Sequence, residues 1–223
     1  MINIENLLNA PLLSDPWDHQ IIDDFLDKET FEAACDIARK IAQLDDLEGA
    51  EILWMNDLLE IGATQQQIDL IVDSADQMMK YVNEISAPYK NRLESKLGYF
   101  NNPRFGVSIP HAVGDIHDEG TNKVMALIIY LEPEQSFGTK LYREDNTNTL
   151  ATEVEWKPNR AFLMFSQPCV TWHKFDALDK PRITLNFYFE KQEALEHLNA
   201  DVDPERIAWL YEQFGNDKLL VNL

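Results

Sequence analysis

Near residue 99 the apolar residues of this chain change period, and that switch limits the possible folds more than any other feature of the sequence. Before it they recur at three and four. Phe31, Ala34, Cys35, Ala38 and Ile41 follow Asp27, and Ile68, Ile71, Val72, Ala75, Met79 and Val82 follow Thr64. Such spacing lays each set along one stripe of a helix that faces a core. Thr64 with Gln67 has the reciprocal pattern of a capping box, and Pro88 is expected to stop the second helix. Between the two, "AEILWMNDLLEIG" reads as a shorter helix ended by Gly62. Cys35 and the Met78-Met79 pair fall on the stripes, so packing is their expected role.

After the switch come "RFGVSI", "VMALIIYL", "GTKLY", "EVEWKP", "RAFLMF", "VTWH" and "RITLNFYF", short apolar or alternating runs separated by polar turns. That succession predicts a β-sandwich or jelly roll. A helix is expected again only near the end, where Asp203-Pro204 is a cap followed by proline, Ile207, Leu210, Tyr211 and Phe214 form a stripe, and Gly215 closes it. The order predicts an α+β protein with helices packed outside one β core. No Pro/Gly/Ser-rich linker divides the chain, so residues 1–223 are read as one domain: 1–95 mainly helical support, 96–190 the jelly-roll core, 191–223 a C-terminal helical segment.

Charge narrows the function. With 19 Lys and Arg against 39 Asp and Glu, the net charge of −20 repels phosphate backbones and anionic membrane surfaces, so neither nucleic acid nor membrane is an expected partner. Two cysteines, Cys35 and Cys169, make no disulfide framework, which fits a reducing compartment. With no basic leader and no apolar run long enough to span a bilayer, the expected localisation is cytoplasmic.

Chemistry concentrates around two of the five histidines, His117 in "GDIHDEGTNKV" and His173 in "VTWHKF". In a strand, side chains at i and i+2 share a face while i+1 points away. Glu119 can therefore converge with His117 on one ion, and Asp118 cannot unless the strand ends or bulges at Ile116. Two histidines and one carboxylate leave open positions on a metal, the arrangement that non-haem Fe(II) oxygenases use. In "PRITLNFYF" alternation sets Arg182, Thr184, Asn186 and Tyr188 on one face and Ile183, Leu185, Phe187 and Phe189 on the other. An arginine projecting inward needs an anionic partner, which a dicarboxylate would supply through bidentate pairing. His111 shares strand parity with His117 and reads as a substrate contact or a surface residue. His19 and His197 read as solvated helical histidines, and Trp172 as a core aromatic. "REDNTNTLATE", residues 143–153, suits a mobile loop over the site or an ordinary hairpin connection.

The ordered series "IHDEGTNKVMALIIYL", "GTKLYR", "NRAFLMF", "TWHKF" and "RITLNFYF" resembles the 2-oxoglutarate and Fe(II)-dependent dioxygenases of the prolyl-4-hydroxylase type over roughly residues 99–190. The opening "DPWDHQIIDDFLD" is similar to the segment that leads into that domain. The resemblance implies a double-stranded β-helix braced by N-terminal helices, with His117, Glu119 and His173 as metal ligands and no catalytic residue beyond them. Most members have Asp where this chain has Glu119. The resemblance also implies that Arg182 binds the distal carboxylate of 2-oxoglutarate, with Thr184 completing an Arg-x-Ser/Thr pattern and Tyr130 hydrogen-bonded to the same carboxylate. Its cofactors would be Fe(II), 2-oxoglutarate, O₂ and, as an accessory reductant, ascorbate. The implied reaction hydroxylates an unactivated C–H bond of a peptide, protein or small-molecule substrate, with a prolyl residue as the nearest analogy. Two other readings stand beside it: a non-catalytic jelly-roll module that binds a metal or ligand, and a zinc hydrolase on the same ligands, which lacks an evident general base and gives Arg182 no task.

Overall fold

The computed structural model describes residues 1–44, 47, 50–86, 98–120, 123–191 and 221–222. Among them α1 (Ile4–Asn9), β1 (His19–Ile22), α2 (Lys28–Ile41), β2 (Ala50–Trp54) and α3 (Gln65–Ser86) precede the strand-rich part. Then follow β3 (Gly98–Ser108), β4 (Lys123–Glu132), β5 (Thr139–Tyr142), β6 (Leu150–Val154), β7 (Ala161–Phe165), β8 (His173–Phe175), β9 (Arg182–Lys191) and β10 (Val221–Asn222).

Local chemistry starts the two longer helices where the sequence puts them. Asp27 caps α2 by accepting the Thr30 N–H at 2.9 Å. At the head of α3 the Thr64 N–H donates to Gln67 Oε1 at 3.0 Å and the Gln67 N–H returns to Thr64 Oγ1 at 3.3 Å. These reciprocal bonds satisfy amides that a first helical turn would otherwise leave unpaired. The stripes bury Ala34, Ile37, Ala38 and Ile41 from α2 and Ile71, Ala75, Met78 and Val82 from α3. Cys35 is buried beside them, and burial pushes its thiol up to about 12.

The strands form two antiparallel sheets. The larger runs β1-β7-β4-β9-β3-β10, with β2 also paired to β3, and the smaller runs β6-β5-β8. One face of the large sheet presents Phe105, Leu127, Ile129, Leu163, Leu185, Phe187 and Phe189 to the helices in a continuous apolar core. Its other face packs Ala126, Ile128, Tyr130, Phe162 and Met164 against Leu141 and Val154 of the small sheet, with Trp17 and Trp156. Strand β9 shows the expected alternation: Ile183, Leu185, Phe187 and Phe189 enter the helix-facing core, while Arg182, Thr184, Asn186 and Tyr188 line a cavity on the opposite side. Phe187 is 0% exposed, a burial typically worth about 1.5–3 kcal/mol.

Three expectations change, for residues 50–54, His19 and Trp172, and one open choice, at residues 143–153, falls to the hairpin connection. Residues 50–54 form a strand rather than the first part of a helix, because β3 offers them a hydrogen-bonding edge, with Ala50 opposite Ser108 and Trp54 opposite Arg104. The helical character of that segment survives only as one 3₁₀ turn at Met55–Leu59, before Gly62 at φ +84°. His19 is a buried strand residue paired with Met164, not a solvated helical one. Residues 143–153 make the hairpin connection between β5 and β6, with a 3₁₀ turn at Thr147–Thr149 and β6 already begun at Leu150. Trp172 is half-buried, outside both apolar clusters. Pro88, His197 and the helix expected after Asp203 lie outside the described residues. No helix among the described residues is long and apolar enough to cross a membrane.

Candidate metal and dicarboxylate site

His117 and His173 are 56 positions apart in the chain but face each other directly across an isolated antiparallel bridge. The His117 N–H donates to the His173 carbonyl at 3.0 Å, and the His173 N–H returns to the His117 carbonyl at 2.9 Å. Reciprocal bonding makes the two a facing pair, so both imidazoles project from one side, with ring centroids 4.4 Å apart.

Both rings are oriented in the same way. Nδ1 of His117 lies 2.9 Å from the Asp115 carbonyl, and Nδ1 of His173 lies 2.8 Å from the Thr171 carbonyl. A carbonyl can only accept, so each Nδ1 carries the hydrogen, and Nε2 of the neutral ring is left with a free lone pair. Such an outer hydrogen bond is what holds a metal-ligating histidine in place.

Two residues beyond His117, Glu119 brings Oε1 to 3.5 Å from His173 Nε2, while its Oε2 pairs with the ammonium of Lys123. Burial alone would raise the Glu119 carboxyl, but His173, where its Nε2 carries a proton, and the Lys123 ammonium hold it well below the usual range, so it is ionised. Burial, with His173 as a neighbour, pushes the His117 imidazole down. A carboxylate oxygen and an imidazole lone pair at this distance need a proton or a cation between them. One atom each from His117, Glu119 and His173 lie within 4.8 Å of one another, which suits a single cation. On this evidence the donor set fits a metal.

Asp118 faces elsewhere. Its carboxylate accepts the Gly120 N–H at 2.9 Å and the Cys169 N–H at 2.6 Å, and so joins the turn after Glu119 to the turn before His173. The segment is bridged rather than a continuous strand, yet the i, i+2 relation of His117 and Glu119 holds.

A cavity of about 330 Å³ opens from this cluster and is lined by Thr139, Phe175, Arg182, Thr184, Asn186 and Tyr188 as well as His117, Glu119 and His173. Arg182, the first residue of β9, is 4% exposed. Its guanidinium lies 5.0 Å from the ring centroids of Trp156 and Phe175 and 5.4 Å from that of Tyr130. Burial pushes its pKa down. Among the described residues no carboxylate pairs with it; Nε has no hydrogen-bond partner, and one terminal nitrogen reaches Thr139 Oγ1 only at 3.5 Å. A buried, unpaired cation of this kind is costly, and an incoming carboxylate is what the fork is shaped to hold. Tyr130 is 0% exposed, kept protonated by burial, and donates to Thr139 Oγ1 at 2.8 Å, with Trp156 stacked on it at 4.5 Å. It therefore supports the Arg182 pocket from behind. Thr184 lines the cavity next to Gly106, where a Cβ would come within 3.0 Å of its hydroxyl.

All six residues singled out in the sequence therefore gather at one cavity or against its wall. His111 does not line it; it sits exposed in a turn at φ +62°. Sequence reasoning missed Thr139, which joins Tyr130 to Arg182, and Lys123, the partner of Glu119. The four-residue spacing of Glu119 and Lys123 was the one available signal for the latter.

No family model matches the sequence, and no curated protein does. The fold, however, is that of the prolyl hydroxylases, whose likeness implies a jelly-roll core. A Trichoplax adhaerens prolyl hydroxylase, solved with a peptide fragment of the hypoxia inducible factor oxygen degradation domain, superposes with a TM-score of 0.55 at 13% identity over 78% of this chain and 84% of its own. A Pseudomonas putida prolyl-4-hydroxylase gives 0.52 at 13% identity, covering 85% of this chain and 92% of that one. The viral collagen prolyl hydroxylase of Paramecium Bursaria Chlorella virus-1, in its 2OG complex, gives 0.50 at 14% identity, over 80% and 98%.

Proposed function

We propose that this chain is a 2-oxoglutarate and Fe(II)-dependent dioxygenase that hydroxylates an unactivated C–H bond. The observation that carries the reading is Arg182: a buried guanidinium without a carboxylate partner among the described residues, opening on the same cavity as the His117, Glu119 and His173 cluster. A metal site alone would not need that arginine, whereas a metal-chelating dicarboxylate uses both ends of the cavity.

In this reading His117, Glu119 and His173 hold the iron, each imidazole through Nε2 because Nδ1–H is bonded to the main chain. Arg182 pairs with the far carboxylate of 2-oxoglutarate. Thr139 and Thr184 offer hydroxyls along the way, and Tyr130, bonded to Thr139 and stacked on Trp156, would hydrogen-bond the same carboxylate. The chemistry such a centre supplies is coupled oxidation: O₂ gives one oxygen atom to 2-oxoglutarate, which leaves as succinate and CO₂, and the other to the substrate C–H bond. The substrate class we favour is a peptide or protein, with a prolyl residue as target, by analogy with the peptide-bound neighbour. Ascorbate would serve as reductant for uncoupled turnovers. We place the protein in a reducing cytoplasm, since Cys35 and Cys169 are unpaired, and treat residues 1–223 as one domain.

The test is release of succinate from 2-oxoglutarate by purified protein with Fe(II), aerobically and without added substrate, because such sites leak. Slow iron-dependent succinate formation is expected. Iron binding without any succinate would favour the non-catalytic binding module.

A further inference from the structure

Lys123 lines the same cavity but belongs neither to the metal ligands nor to the dicarboxylate anchor. It is nevertheless fixed at both ends. Its main chain is the first residue of β4, paired with Glu190 of β9 just before a register shift. Its ammonium pairs with Oε2 of Glu119 and lies 3.9 Å from the ring centroid of Tyr188. The Arg104 guanidinium lies 4.3 Å from the same ring and is paired with Glu190 at 2.8 Å.

The consequence falls on Glu119, whose side chain is 5% exposed. Its two oxygens are divided: Oε2 belongs to Lys123, and Oε1 faces His173 Nε2 at 3.5 Å. Glutamate has one more rotatable bond than aspartate, so a free Glu119 could turn both oxygens onto an ion. An ammonium on Oε2 withholds that oxygen.

We infer that Lys123 is a positioning residue that makes Glu119 a one-oxygen metal donor. It thereby compensates for the longer arm at this position. An octahedral ion held by three single donors keeps half of its positions open, and a two-oxygen glutamate would take one of these from the incoming ligands. The inference rests on the metal-site reading above.

Mn(II) is the probe, and water-proton relaxation of the protein–Mn(II) complex counts metal-bound water. The parent should show the relaxivity of a half-open ion. Lys123→Met should still bind Mn(II), within about tenfold of the parent, but lose roughly one third of that relaxivity as Oε2 displaces one water. Lys123→Arg keeps charge and donors and should match the parent. Equal relaxivity in the parent and Lys123→Met overturns the inference. Should the Met variant not fold, the parent decides alone, since a relaxivity already short by roughly one third means both oxygens are bound despite Lys123. Failure of the parent to bind Mn(II) at all overturns the metal-site reading itself, a result seen without any variant.

Discussion

Replacing Arg182 by methionine separates a residue kept for the fold from one kept for a ligand. The side chain is 4% exposed, ringed by Trp156, Phe175 and Tyr130, and paired with no carboxylate among the described residues. Methionine retains an apolar stem of similar length. It loses cation–π contacts worth roughly 0.5–2 kcal/mol each, but also sheds a desolvation penalty of several kcal/mol. Ligand-free Arg182→Met should therefore be as stable as the parent or more so. Binding should respond in the opposite sense. Loss of a charge-assisted contact of about 1.5–3 kcal/mol weakens 2-oxoglutarate roughly ten- to a hundredfold. At a ligand concentration a hundred times the parent Kd, the parent gains about 2.7 kcal/mol of stability, whereas a variant thirtyfold weaker gains about 0.9. Urea unfolding with and without 2-oxoglutarate, anaerobically and with Mn(II) present throughout, measures both quantities. A variant that is destabilised by more than about 1 kcal/mol without ligand, yet keeps the full ligand-induced gain, would refute the reasoning and return Arg182 to the fold.

Two further outcomes follow from the geometry. Glu119→Ala should abolish tight Fe(II) or Mn(II) binding, because the anionic donor is lost, whereas Asp118→Ala should weaken it far less, since that carboxylate bonds the Gly120 and Cys169 amides; metal titration of the two variants decides, and the reverse order would mean that Asp118 is the ligand. Asp23, hydrogen-bonded by Arg160 at 2.6 Å and by Lys157 at 3.0 Å, is pulled down to about 2, chiefly by Arg160. A depressed carboxylate adds stability above its unfolded pKa, near 4, and loses it as pH falls through about 2. With Asp23 43% exposed, screening limits that term to at most about 1 kcal/mol, so Asp23→Asn should cost this much at pH 7 and nothing below pH 2 in urea unfolding.

Whatever depends on period was legible in the sequence. The alternation in β9 sorts Ile183, Leu185, Phe187 and Phe189 from Arg182, Thr184, Asn186 and Tyr188, and the structure sends the two sets to opposite faces. The helical stripes and the capping box at Thr64 were equally readable, because each is a bond or a face set within a few residues, whereas the cap that Asp27 supplies to α2 went unread. The i, i+2 relation of His117 and Glu119 belongs with them. Whatever depends on a partner distant in the chain was not. Residues 50–54 carry a pattern that either period can use, and only the free edge of β3 makes them a strand. His19 is buried because Trp17 and Phe162 pack around it, with ring centroids at 5.5 and 5.8 Å, and nothing in its neighbours announces that. Thr139 acquires its place between Tyr130 and Arg182 from strand pairing alone. Lys123 shows the division most clearly: its spacing from Glu119 lies in the sequence, but the burial that turns this pair into a constraint on one carboxylate oxygen exists only once β4 lies beside β9 and Tyr188. Local periodicity is written in the order of residues, whereas desolvation and the choice of partner are properties of the packed chain.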